Sequence, residues 1–116
     1  DTYRSNAGDL VGAENLVELG HRTGSTDMGD LSQIMPVIHP YVAAASGNAH
    51  GADYLVDDYE LGVITTAKAM CMTVIDLLGD GARLAKRVKS DYKAPMTKAR
   101  YLSFMRGLLK EETYTE

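Results

Sequence analysis

Three histidines, His21, His39 and His50, are the side chains best suited to hold a metal ion or move a proton. They are spaced 18 and 11 residues apart, whereas two ligands on one helix sit about four apart, so they can converge only through tertiary structure. His50 lies in a small-residue stretch, 43–51, where a rigid scaffold could present it. His39 sits in an apolar run beside Pro40 and could equally pack with its ring hydrogen-bonded. Asp27 and Asp30 flank a glycine in Gly24-Ser25-Thr26-Asp27-Met28-Gly29-Asp30, without the further ligands and closing Glu of a calcium loop. The same stretch lacks the Gly-Lys-Ser/Thr ending of a phosphate-binding loop. Helix capping by Ser25, Thr26 or Asp27 is its plain alternative. Cys71 is alone, so it forms neither an internal disulfide nor a cysteine zinc cage. It is expected to pack as a small hydrophobe, with Met70 and Met72 beside it. Glu111-Glu112 sits in a terminal tail and is expected to be solvated.

The elements that must position these residues are mostly helical. Leu10, Ala13, Leu16, Val17 and Leu19 predict a helix over 9–19, stopped by Gly20. Asp27 to Met35 predicts one or two turns, ended by Pro36. The β-branched and aromatic run 37–42 predicts a strand, kept short or at an edge by Pro40. Asp57-Asp58-Tyr59-Glu60 resembles a capping box opening a long helix to Gly79. Along it Leu61, Ile64, Ala67, Cys71, Val74, Ile75 and Leu78 form a broad apolar side, with Thr65, Lys68, Met72 and Asp76 opposite, which predicts a mostly buried helix. Further helices are expected over 82–92 and, with Thr97 a candidate cap, over 96–110, followed by a polar tail at 111–116. One strand among four or five helices leaves its backbone edges unpaired, so the chain reads as a piece of a larger α/β domain.

Composition bounds the alternatives. The 116 residues are 45% hydrophobic and 24% charged, which fits one globular domain rather than a disordered or fibrous chain. No run approaches 18 consecutive apolar residues, so no membrane span is expected. The net charge of −4 is split: residues 1–81 carry three basic and twelve acidic side chains, net −9, and residues 82–116 carry nine and four, net +5. Lys86, Arg87, Lys89, Lys93, Lys98 and Arg100 form neither a dense run nor a nucleic-acid motif, and are expected to be solvated helix faces. No basic-apolar leader opens the chain, which begins at Asp1, so a partial or processed chain in a cytoplasmic setting is expected.

Two stretches together resemble a known family. Gly24-Ser25-Thr26-Asp27-Met28-Gly29-Asp30-Leu31-Ser32-Gln33, followed by Pro36-Val37-Ile38-His39-Pro40-Tyr41, is similar to the C-terminal part of amidohydrolase-type metallopeptidases. The branch is that of aminobenzoyl-glutamate hydrolases, hippurate hydrolases and aminoacylase/carboxypeptidase-like enzymes. There a Gly-Ser-(Thr or Glu)-Asp loop, a short strand, a loop with a metal-binding His and a long helix follow in order. The same order stands here, with His50 in Ala49-His50-Gly51-Ala52-Asp53-Tyr54, over roughly residues 8 to 92.

The resemblance implies the C-terminal part of a catalytic domain, a mixed sheet flanked by helices, with a helical tail at 93–116. It implies two divalent metal ions per active site, Zn or Mn, that acidify a water to attack an amide carbonyl. It places His50 as a metal ligand and Ser25, Thr26 and Asp27 on the substrate side; for the other His50 nitrogen, Asp53, near in sequence, and a backbone carbonyl are equal candidates. No catalytic residue falls in this chain, because no His-x-Asp, Cys-x-His or internal Glu-Glu pair is present. The expected partners are therefore a small amide or peptide substrate, the remainder of the catalytic domain and a second copy in a homodimer, with no nucleic acid and no membrane. Alone, the chain is expected to be inactive. The other reading is a stand-alone helical interaction module whose contact surface is the basic 82–116 region.

Overall fold

In the computed structural model, which describes residues 1–20 and 24–113, the chain opens with a helix, α1 (Thr2–Val11), that Gly12 stops by turning to φ 87°. At this positive φ a side chain would be strained, which suits the turn to glycine. Asn15 Nδ2 then closes the helix end by donating to the Val11 carbonyl at 2.7 Å. The helix expected over 9–19 is thus displaced toward the N-terminus. Only a 3₁₀ turn, Ala13–Asn15, follows Gly12, because that glycine interrupts the apolar spacing that suggested a helix.

Two compact units make up the chain, Asp1–Thr23 with Pro40–Arg87, and Gly24–His39 with Val88–Glu116. In the first unit α1 is held by a polar contact. Asn6 is buried, and its Nδ2 donates to Thr73 Oγ1 at 3.2 Å and to Asp76 Oδ2 at 2.7 Å. The Thr73 hydroxyl in turn donates to the Ala69 carbonyl at 2.8 Å.

The strand expected at 37–42 forms no ladder. Pro36 and Pro40 have no N–H to give, and pairing begins only at β1 (Ala45–Ser46), inside the stretch expected to be loop. There Ala45 pairs with Val56 and Ser46 with Leu55 of β2 (Leu55–Val56), antiparallel. The amides of Asp57 and Asp58 both donate to the Ala44 carbonyl, at 3.1 and 3.3 Å, which ties the hairpin to the helix that follows.

That helix starts as expected at Asp58, whose Oδ1 accepts from the Leu61 amide at 2.8 Å. Glu60 does not reach back as in a capping box; its carboxylate faces Lys68 at 3.7 Å instead. The first stretch, Glu60–Thr65, is a wide π-type turn, with the Thr66 hydroxyl donating to the Leu61 carbonyl at 3.0 Å. Gly62 presses this turn onto Ala44: a Cβ there would lie 2.9 Å from the Ala44 Cβ. The helix continues as α3 (Thr66–Asp91), broken where Gly79 leaves helical geometry and Asp80, Gly81 and Ala82 all take positive φ. The expected stop at Gly79 is this break.

The face of the helix differs from expectation. Ala69 and Thr73 are buried against α1, while the apolar row and Cys71 face outward. Cys71 lies two residues from each of them, about 200° around the helix, so docking α1 on one excludes the other. Ala44 and Ala69 are the buried apolar side chains among the described residues. The stretch Glu60–Asp91 is also long and apolar enough to cross a membrane by length and composition, although Lys68 and Asp76 divide it into shorter uncharged runs. The absence of such a run therefore does not exclude a span.

In the second unit α2 (Asp27–Leu31) and the turn after it match the expected helical turns before Pro36. Tyr92 donates its hydroxyl proton to the Ser32 carbonyl, and the Met96 amide donates to the Gln33 carbonyl at 3.0 Å. The last helix, α4 (Lys98–Leu108), is capped as expected by Thr97, whose Oγ1 accepts from the Arg100 amide at 3.2 Å. The tail is irregular from Leu109 to Thr113, and residues 114–116 lie outside the described residues.

Replacing Asn6 by Ala should strip Thr73 and Asp76 of a shared donor, a loss of about 1–3 kcal/mol. Amide exchange across Thr2–Val11 should then accelerate at least about fivefold. Unchanged protection of α1 would show that other contacts hold it.

Candidate functional site

His50 sits in the tight connection between β1 and β2. Gly47 enters that loop at φ 85°, where a Cβ would come 2.2 Å from the Asp53 carbonyl oxygen. The Gly51 amide closes a turn by donating to the Asn48 carbonyl at 2.7 Å, and a Cβ on Gly51 would meet Asp53 Oδ1 at 2.3 Å. Both glycines permit the close backbone path expected around His50. Between them His50 is exposed and itself adopts φ 65°. A non-glycine residue there is uncommon, although histidine is among those that tolerate it best. The loop thus holds an imidazole outward on a backbone that costs about 1–2 kcal/mol to maintain.

Asp53, one expected partner for the second ring nitrogen, is otherwise engaged. Its Oδ2 accepts from Asn48 through the backbone amide at 3.3 Å and the side-chain Nδ2 at 3.2 Å. It braces the loop. Among the described residues no three His, Cys, Asp or Glu side chains gather to hold a metal ion. The residues present therefore do not by themselves fit a metal; His50 offers one donor. His39 is exposed in the second unit, and His21 lies outside the described residues.

The loop with Ser25, Thr26 and Asp27 belongs to the second unit, and all three side chains are exposed. Of the alternatives for capping, the structure uses Thr26, whose Oγ1 accepts from the Met28 amide at a long 3.4 Å. Asp27 opens α2 without capping it, and its carboxylate lies in the first turn, where the helix dipole favours negative charge. The Ser32 hydroxyl donates to the Gly29 carbonyl at 2.6 Å. With Tyr92 and Met96 fastening Ser32 and Gln33, the loop is presented by a short helix anchored at its far end. Neither anchor was visible in the residue pattern. Tyr92 read only as the last apolar position of its helix, and Met96 contributes through its backbone.

The first unit also contains an open cleft of about 490 Å³, lined by Tyr3, Val11, Leu16, Tyr41, Leu61 and Ala69 among others. Among the described residues no His, Cys, Asp, Glu, Lys or Arg lines it, so those residues suit an apolar group and offer no acid–base chemistry beyond the tyrosines. Lys86, Arg87, Lys89, Lys93, Lys98 and Arg100 are all exposed, in keeping with solvated faces.

Comparison with known proteins gives two relatives. Over 104 aligned residues, 83% of this chain, it is 26% identical to the Xaa-Arg dipeptidase of Homo sapiens and 28% identical to that of Mus musculus. The aligned region is 24% of each of those proteins, so the chain spans about a quarter of the length of the curated relatives it matches. No protein-family model and no solved structure matches the chain. The similarity supports a distant relationship to peptidases and amidohydrolases.

Proposed function

We propose that this chain is part of the catalytic domain of a metal-dependent amidohydrolase or exopeptidase. In this reading the whole enzyme cleaves the amide bond of N-acyl amino acids or dipeptides. The observation that carries the proposal is the similarity to Xaa-Arg dipeptidases across 83% of the chain. It agrees with the order of loop, histidine and long helix that the sequence displays. The relatives' name adds dipeptides ending in arginine to the candidate substrates, beside aminobenzoyl-glutamate.

Within this proposal His50 is one ligand to a divalent ion, Zn or Mn. The remaining ligands and the catalytic acid–base would come from polypeptide outside this chain, since the described residues assemble no complete donor set. Such an ion would supply Lewis-acid chemistry toward a carbonyl and a water. This chain's own share is to hold an imidazole outward on a braced loop. Ser25, Thr26 and Asp27, exposed and with only Thr26 used as a cap, are proposed to face the substrate. The proposal extends to an α/β catalytic domain that works as a cytoplasmic homodimer.

The 116-residue chain alone should show only background hydrolysis of Xaa-Arg dipeptides, N-acyl amino acids and aminobenzoyl-glutamate in metal-supplemented assays. Metal-dependent turnover by the chain alone would overturn the fragment reading.

In the polypeptide expressed from the native gene, His50→Ala and His50→Gly should both abolish turnover and lower metal content by about one ion per active site. The glycine variant should also be more thermostable than the alanine variant, because it removes the backbone cost at φ 65°. Full metal occupancy with normal activity in either variant would send the search to His39.

Asp27→Asn in the same polypeptide should cut kcat/KM at least tenfold with thermal stability unchanged. Thr26→Ala should instead lower stability by about 0.5 kcal/mol, the low end for a cap whose bond is long. A stability loss confined to Asp27→Asn would reverse the two roles.

A further inference from the structure

The long helix carries its apolar row on the outside. Val63 is 53% exposed, Ile64 44%, Met70 44%, Val74 49%, Ile75 68% and Leu78 61%. Ile64, Ala67, Cys71, Val74 and Leu78 follow one another at steps of three and four, the spacing of a seam that meets a packed partner. Ala67 and Cys71, both exposed, put small side chains at mid-seam, where a partner can approach closely.

The relatives indicate what kind of partner covers it. A lipid bilayer would have to accept Lys68 and Asp76 together with the row. The two dipeptidases, in contrast, carry about three-quarters of their length outside the region this chain matches. That is polypeptide enough to cover a helix face of this length.

We propose that the row from Val63 to Leu78 is the seam by which this chain joins the apolar core of the rest of a peptidase-type polypeptide. The identity of that partner rests on the peptidase reading above; the seam itself rests on exposure and spacing.

Cys71, the single cysteine of the chain, reports on the seam directly. Maleimide labelling, located by peptide mass mapping, should modify Cys71 in the isolated chain at the rate of a free thiol. In the polypeptide expressed from the native gene it should be at least a hundredfold slower, and denaturant should restore it. Ile75→Asp combined with Leu78→Asp should raise Cys71 labelling in that longer polypeptide. Equal reactivity of Cys71 in the two wild-type forms overturns the proposal. So does protection of the isolated chain that grows with its concentration alongside a dimer mass, which assigns the row to a second copy. Protection conferred by phosphatidylcholine–phosphatidylglycerol vesicles assigns it to a membrane. A protected Cys71 in a longer polypeptide without amidase activity keeps the seam and discards the peptidase reading. A reactive Cys71 in an active hydrolase does the reverse.

Discussion

The first unit turns on one amide. Asn6 brings α1 onto the long helix by donating two hydrogen bonds from a single nitrogen, to the Thr73 hydroxyl and the Asp76 carboxylate, across 67 and 70 residues of sequence. In a unit whose buried apolar side chains, among the described residues, are Ala44 and Ala69, this contact chooses which side of the helix faces inward. A polar anchor of this kind is directional: it is worth most in one geometry and costs a buried, unpaired group in others. The same choice turns Ile75 and Leu78 to water. The anchoring of α1 and the exposure of the apolar row are therefore one decision, taken by Asn6, Thr73 and Asp76.

A second close approach serves the histidine. Gly62 lets the π-type turn lie against Ala44, and the Ala44 carbonyl accepts from both Asp57 and Asp58. The hairpin that carries His50 is thereby fixed at its base to the start of the helix. Its far end is braced by Asp53 and Asn48. The imidazole stands on a loop held at both ends by hydrogen bonds, with Gly62 packed on Ala44 at its base. Backbone bonds restrain such a loop while leaving its side chain open to a partner.

Local signals in the sequence proved reliable where a single residue type dictates geometry. Asp58 and Thr97 cap helices as their chemistry suggests, and Gly79 marks the break in the long helix. Signals that depend on partners were less legible. The run 37–42 has strand composition, but a strand exists only where another pairs with it, and among the described residues pairing falls to Ala45–Ser46 and Leu55–Val56. Residues 2–8 show no apolar period, because their helix is docked by Asn6 rather than by a hydrophobic face. The period of the long helix located its apolar side correctly and could not say whether this chain itself covers that side. For the candidate site, the Gly-Ser-Thr-Asp loop and the His50 loop were both legible as loops. The positive φ of His50, the bracing role of Asp53 and the clasp of Tyr92 on Ser32 arise from folding and have no counterpart in residue spacing.

The break at Gly79–Ala82 has a bearing on how such a chain can vary. In a continuous helix, one added residue rotates everything after it by about 100° and exchanges buried for exposed positions. Three successive residues at positive φ interrupt that transmission of phase. An insertion or deletion at 79–82 leaves the helical phase of 66–78 and of 83–91 each intact. The same change between Thr66 and Leu78 would take Thr73 or Asp76 out of reach of Asn6. Length variation among related sequences should therefore collect at the break, and the helix before it should keep its residue count even where its side chains diverge.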